Sequence, residues 1–207
     1  TTPEGGHSGI SFFLVDTDQP GYEASKIEKL GWHASDTALI ALGDVFVPQE
    51  NLLGELNGGF KLIMANFQWE RLSMALGAVA AAQHCFELTL RYASEREAFG
   101  RRIGQFQAIR HKIADMATKI EASKQFTYSV AWRVNNGEYP VREISMAKLL
   151  SAQMACEVAD QTIQVLGGYG YMKEYEVERA YRDIRLNRIG AGTDEVMLEV
   201  IGRSYGL

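Results

Sequence analysis

The sequence predicts a mainly α-helical protein, a four-helix up-down bundle preceded by the end of a small β-barrel-like region. Three observations carry this. Short β-like patterns are confined to Gly9 through Pro48, a long run from Gly58 contains no proline, and the later helical segments are joined by short glycine-marked breaks. At 207 residues the chain can bury a substantial core, within the usual roughly 100 to 200 residues per domain.

Taken in order, "GISFFLVDT" reads as an apolar strand stopped by Asp16, Asp18 and Pro20, and "ALIALGDVFVP" as a second. From Gly58 one long helix is expected, with Phe60, Met64, Phe67, Met74, Ala78 and Cys85 at helical spacings. "AFGRRIG" breaks it. A second helix follows, its stripe formed by Ile109, Ile113, Met116, Ile120, Thr127 and Val130. "NNGEYP" is a turn, and a third helix runs from about Val141 to Leu166 with Ile144, Ala147, Leu150, Met154, Val158 and Val165 inward. Gly167 and Gly168 end it. A shorter helix from Glu176 to about Arg185 leads through "IGAGTDEV" into a last helix from Thr193.

Composition narrows function. A formal charge of −5 lacks the basic excess that nucleic acid or anionic membrane usually requires, and no apolar run reaches the ~18 to 20 residues of a membrane span. Cys85 and Cys156 sit in apolar helical context, which favours free thiols. The histidines His7, His33, His84 and His111 are scattered without ligand spacing, so no metal is expected. The opening "TTPEGGHSGI" reads as a loop entered midway, so a preceding segment is expected.

Four motifs could carry chemistry. Glu70 shares a helix face with Asn66, Phe67, Ser73 and Met74, an apolar setting that would desolvate a carboxylate and raise its basicity; an ion-paired surface position beside Arg71 is the alternative. "RYASEREAFGRRIGQFQAIRHK" gathers arginines at a helix break, suited to a phosphate or simply a solvated basic face. "QVLGGYGYMKE" offers glycines for close approach to a flat ligand, or for a plain helix cap. In "GAGTDEV", Thr193 or Asp194 can cap a helix whose N-terminal N–H groups point outward.

The order and separation of these motifs resemble the C-terminal half of the acyl-CoA dehydrogenase family. "GWHASDTALIALGDVFVPQENLLGELNGGFKLIMANF", "REAFGRRIGQFQ", "QVLGGYGY", "RAYRDIRLNRIGAGTDEV" and "VIGR" follow in that family's order over nearly the whole chain. The resemblance implies that residues 1–55 end a middle β-domain and residues 56–207 form the helical-bundle domain that binds FAD. It implies that Arg96 and Gln107 contact the adenine dinucleotide across a subunit interface, with Phe99 packed beside it. The backbone of Gln164, Val165, Leu166, Gly167 and Gly168 then meets it from the partner. Thr193, Asp194 and Glu195 fall near the flavin's phosphate and ribitol. Such sharing implies at least a dimer, and the family pattern a homotetramer.

In many members the position of Ala191 holds a catalytic glutamate within "YEGT", where this chain has "GAGT". Isovaleryl-CoA and long-chain acyl-CoA dehydrogenases also lack it and carry the base on the long helix in an "ER" dipeptide, matching Glu70 in "WERLSMA". Ala191 and Gly192 then form a small-residue wall for the acyl thioester, and Arg71 either holds substrate or orders the helix. The implied reaction has Glu70 remove the α-proton while a β-hydride passes to flavin N5, giving a trans-2-enoyl-CoA, with an electron-transfer flavoprotein as acceptor. Bacterial cytoplasm and mitochondrial matrix are both compatible. A flavin oxidase or monooxygenase of the same fold, and a non-catalytic helical module, stand as alternatives, as do short branched, terpenoid and long straight acyl chains.

Overall fold

A computed structural model describes all 207 residues and divides into two compact units, Thr1–Phe67 and Gln68–Leu207. The first unit is built from short antiparallel pairs. β1 (Phe12–Phe13) pairs with β4 (Leu52–Leu53), and β2 (Tyr22–Lys26) pairs with β3 (Ala38–Leu42) in the register Tyr22 to Leu42. The apolar run around Phe12 is therefore a strand over two residues only. β2 had no signal in the sequence, because "YEASK" lacks the alternation of a half-buried strand; its residues from Glu23 to Lys26 are exposed.

The helices are α1 (Gly59–Glu95), α2 (Gln107–Asn135), α3 (Val141–Leu166), α4 (Glu176–Ile184) and α5 (Asp194–Arg203). The second unit is a helical bundle, as the patterning predicts. Its main core joins Ala78, Val79, Ala82 and Cys85 of α1 to Met116 and Ile120 of α2, Met154, Ala155, Val158 and Ala159 of α3, and Ile184 of α4. A second cluster sets Leu72 and Ala75 against Val130, Ile144 and Ala147. Small residues on α1 and α3 let the helix axes approach, so long side chains fill the space from α2.

Between α1 and α2 the break is a tiny hairpin, β5 (Glu97–Ala98) with β6 (Arg101–Arg102). α3 ends at Gly167, whose φ of 60° and N–H bond to the Ile163 carbonyl make a left-handed cap. One predicted inward residue is misplaced. Leu150 is half-exposed, because the buried face of α3 runs through Ala147, Lys148, Ser151, Ala152 and Ala155, and Leu150 instead lines a surface groove with Phe126, Met146 and Ile201.

Candidate functional site

The segment between α4 and α5 turns twice through unusual backbone. Ala191 has φ of 53° and Gly192 of 115°, both in the left-handed half of conformational space. A Cβ on Gly192 would lie 2.7 Å from Met197 Cε, and one on Gly190 would lie 3.1 Å from Met74 Cε. The loop therefore rests directly on the α1 turn that begins at Glu70, since Met74 is one turn further along the same face. Beside Glu70, the buried Arg71 donates from Nε to the Ala191 carbonyl at 3.0 Å. Burial pushes the Arg71 guanidinium below its usual range, opposed by the charges of Tyr139 and Glu70.

From α3, Lys148 Nζ donates to the next carbonyl, that of Gly192. Its side chain is 1% exposed, and burial lowers its pKa, offset by the Asp194 carboxylate and reinforced by Arg71 and Arg188. Lys148 had no signal in the sequence, where a lysine in a helix reads as surface. Thr193 caps α5, its Oγ1 accepting from the Val196 N–H at 3.4 Å. Glu195 is exposed, its carboxyl held down by its own backbone N–H and by Thr193. Asp194 points inward: Oδ2 accepts from Arg188 at 2.7 Å and from Gln153 Nε2 at 3.1 Å. Its carboxylate thus serves the bundle interior.

Glu70 itself is exposed in this chain, so the apolar burial expected from its helix neighbours is not observed. Ser73 on the same face is also exposed, and Met74 half-buried. Of that face it is Met74 that meets the loop, at Gly190.

A second group lies at the other end of the bundle. Arg96 is exposed, with its guanidinium carbon 5.4 Å from the ring centre of Tyr169, which directly follows the Gly167–Gly168 turn. Arg96 and the glycine turn therefore lie on one surface of this chain. Phe99 projects almost entirely into solvent, edge-on to Phe106, and exposed Gln107 opens α2. Gln164, Gly167 and Gly168 are exposed, and nothing lies within 4 Å of where a Cβ would stand on either glycine. Val165 and Leu166 are buried, so they can offer a ligand backbone only.

Neither cysteine is poised for nucleophilic work. Both are free, and burial raises Cys85 to about 11 and Cys156 in the same direction. No group of three or more His, Cys, Asp or Glu side chains is placed to hold a metal, and no helix is long and apolar enough to cross a membrane.

The profile described as acyl-CoA dehydrogenase, C-terminal domain, matches residues 57–206. The chain belongs to the acyl-CoA dehydrogenase family. That family comprises FAD flavoproteins, oxidoreductases acting on CH–CH groups. Isovaleryl-CoA dehydrogenase, mitochondrial, of Oryza sativa subsp. japonica is 42% identical over 199 residues, covering 96% of this chain and 49% of that protein. Cyclohexane-1-carbonyl-CoA dehydrogenase of Geobacter metallireducens is 42% identical over 203 residues, covering 98% and 53%. The crystal structure of acyl-CoA dehydrogenase from Geobacillus kaustophilus superposes with a TM-score of 0.95 at 44% identity, covering 97% of this chain and 53% of that one. The chain spans about half the length of the curated relatives it matches.

Proposed function

We propose that the protein bearing this chain is an FAD-dependent acyl-CoA dehydrogenase in which Glu70 is the catalytic base. The observation that carries this is the loop of Gly190, Ala191 and Gly192 seated on the α1 turn of Glu70, fastened there by Arg71. In this reading Ala191 and Gly192 offer a thioester a wall without side-chain bulk. The Glu70 carboxylate takes the α-proton, and Arg71, charge-balanced beside it, orders both the helix and the loop. Bound FAD supplies the hydride acceptor for the β-carbon. Residues of this chain suited to hold it are Arg96, Phe99 and Gln107 at the hairpin, the backbone of Gln164 to Gly168, and the α5 N-terminus with Thr193 and Glu195. The fit rests on the exposed Arg96 beside an unfilled glycine turn, which leaves donors and flat surface available.

Within this proposal residues 1–55 close a β-domain and 56–207 form the cofactor and catalytic domain. Acyl-CoA, an electron-transfer flavoprotein and further copies of the chain in a homotetramer are its partners, and a bacterial cytoplasm or mitochondrial matrix its compartment. The test is an anaerobic titration of FAD-loaded full-length protein with straight and branched acyl-CoAs, following flavin bleaching. Glu70→Gln should slow bleaching by about 10²- to 10⁴-fold while FAD stays bound. Equal rates in wild type and variant would remove Glu70 from the chemistry.

A further inference from the structure

Among fully buried side chains of this protein, Lys148 is the largest and the only charged one. Lysine ordinarily keeps its ammonium in water while burying its stem. Here burial pushes the ammonium below its usual range, so a methionine would fill the same space without that desolvation cost. What the ammonium does in return is visible: it donates to the Gly192 carbonyl. One residue earlier in the loop, Arg71 donates to the Ala191 carbonyl. Two cations from two different helices thus hold consecutive carbonyls.

The segment they hold is one that would not hold itself. Ala191 carries a Cβ yet has φ of 53°, and Gly192 follows at 115°. Left-handed backbone is disfavoured for a residue with a Cβ and persists where the surroundings over-determine it. Gly190 sits against Met74, one helical turn from Glu70, so the height of this loop is set against the stretch of α1 that carries Glu70. Asp194, just beyond the loop, supplies the negative charge that balances Lys148 and is itself fixed by Arg188 and Gln153.

We propose that Lys148 is a positioning residue for the Glu70 reaction, clamping the Gly192 carbonyl so that the Ala191–Gly192 wall holds the acyl thioester at the correct distance from the base. The proposal rests on the dehydrogenase reading above. Lys148 touches no reacting atom; it acts through the loop.

The experiment uses FAD-loaded full-length protein as wild type, Lys148→Met, which removes the donor and keeps the volume, Lys148→Gln, which keeps a neutral N–H donor, and Glu70→Gln. Bleaching rates are measured anaerobically at saturating acyl-CoA, with hydrogen exchange followed along the chain. Lys148→Met should retain FAD, bleach about 10²-fold more slowly, and exchange faster within residues 186–197 only. Lys148→Gln should recover at least about fivefold of that loss, because the hydrogen bond to the loop is partly restored. The proposal is overturned if Lys148→Met bleaches within about threefold of wild type, if Lys148→Gln is no faster than Lys148→Met, or if exchange rises evenly through the bundle. It is equally overturned if neither variant yields folded, FAD-bound protein, since Lys148 is then a folding residue. Wild type that bleaches, with Glu70→Gln that does not, separates failure of this proposal from failure of the dehydrogenase reading, which a non-bleaching wild type would sink along with it.

Discussion

Replacing Asp194 by asparagine keeps the shape of the side chain and removes the negative charge beside a buried lysine. Asp194 is 5% exposed and Lys148 1%, while the Arg188 side chain is 40% exposed. Asp194 pairs directly with Arg188 at 2.7 Å and reaches Lys148 only through its field, and removing one partner of a buried charge cluster costs about 3–5 kcal/mol, because the other charges stay behind uncompensated. The share owed to Arg188 is screened by solvent, so about 3 kcal/mol is expected for Asp194→Asn. At about 2–4 °C per kcal/mol for a chain of this size, Tm should fall by about 6–12 °C. Urea unfolding of Asp194→Asn, Lys148→Met and the double variant gives the coupling directly. The double variant should lose at least about 1 kcal/mol less than the two single losses combined, since without Lys148 there is no stranded cation. Additivity within about 0.5 kcal/mol, or a cost below about 1 kcal/mol for Asp194→Asn alone, would refute the charge balance inferred at the loop.

Two further outcomes are expected of the fold. Gly192→Ala places a Cβ 2.7 Å from Met197 Cε at a backbone angle that alanine resists, and Met197 is fully buried with little room to yield. Strain and overpacking together should cost about 2–4 kcal/mol in urea unfolding, and a change under about 0.5 kcal/mol would contradict the geometry. Acid should weaken the bundle through Glu178, whose carboxyl is held below its usual range by Arg182 at 2.8 and 3.0 Å. A carboxyl lowered in the folded state contributes stability above its unfolded pKa, and loses it as pH falls through the folded one. Thermal melts from pH 6 down to about pH 3 should therefore fall more steeply for wild type than for Glu178→Gln, and parallel slopes would show that the pair contributes nothing.

Much of the helical frame was legible because its signals are local. Absence of proline from Gly58 to Tyr139, apolar residues three and four apart, and glycine after Leu166 each act within a turn or two of the chain. They located α3 at Val141–Leu166 and the last helix behind its Thr193 cap. Glu70 and the "GAGT" segment were legible as motifs, and their pairing came from resemblance to a family rather than from periodicity.

Other features depend on which surfaces meet, and no local pattern encodes that. Exposed β2 carries no burial pattern, and Leu150 is apolar on the outer side of a helix whose inner side is lined by alanine, serine and lysine. Glu70 has apolar neighbours along its helix yet stands exposed, because the α4–α5 loop covers Arg71 and Met74 instead. Lys148 carries no sign of burial in the sequence and is sealed inside, since burial of a charge is decided by residues more than forty positions away that supply its acceptor and its counter-charge. The sequence by itself determined where the helices begin and end, because capping and periodicity act at short range. The tertiary structure alone decided which charges are interior, because desolvation and its compensation exist only once distant segments pack.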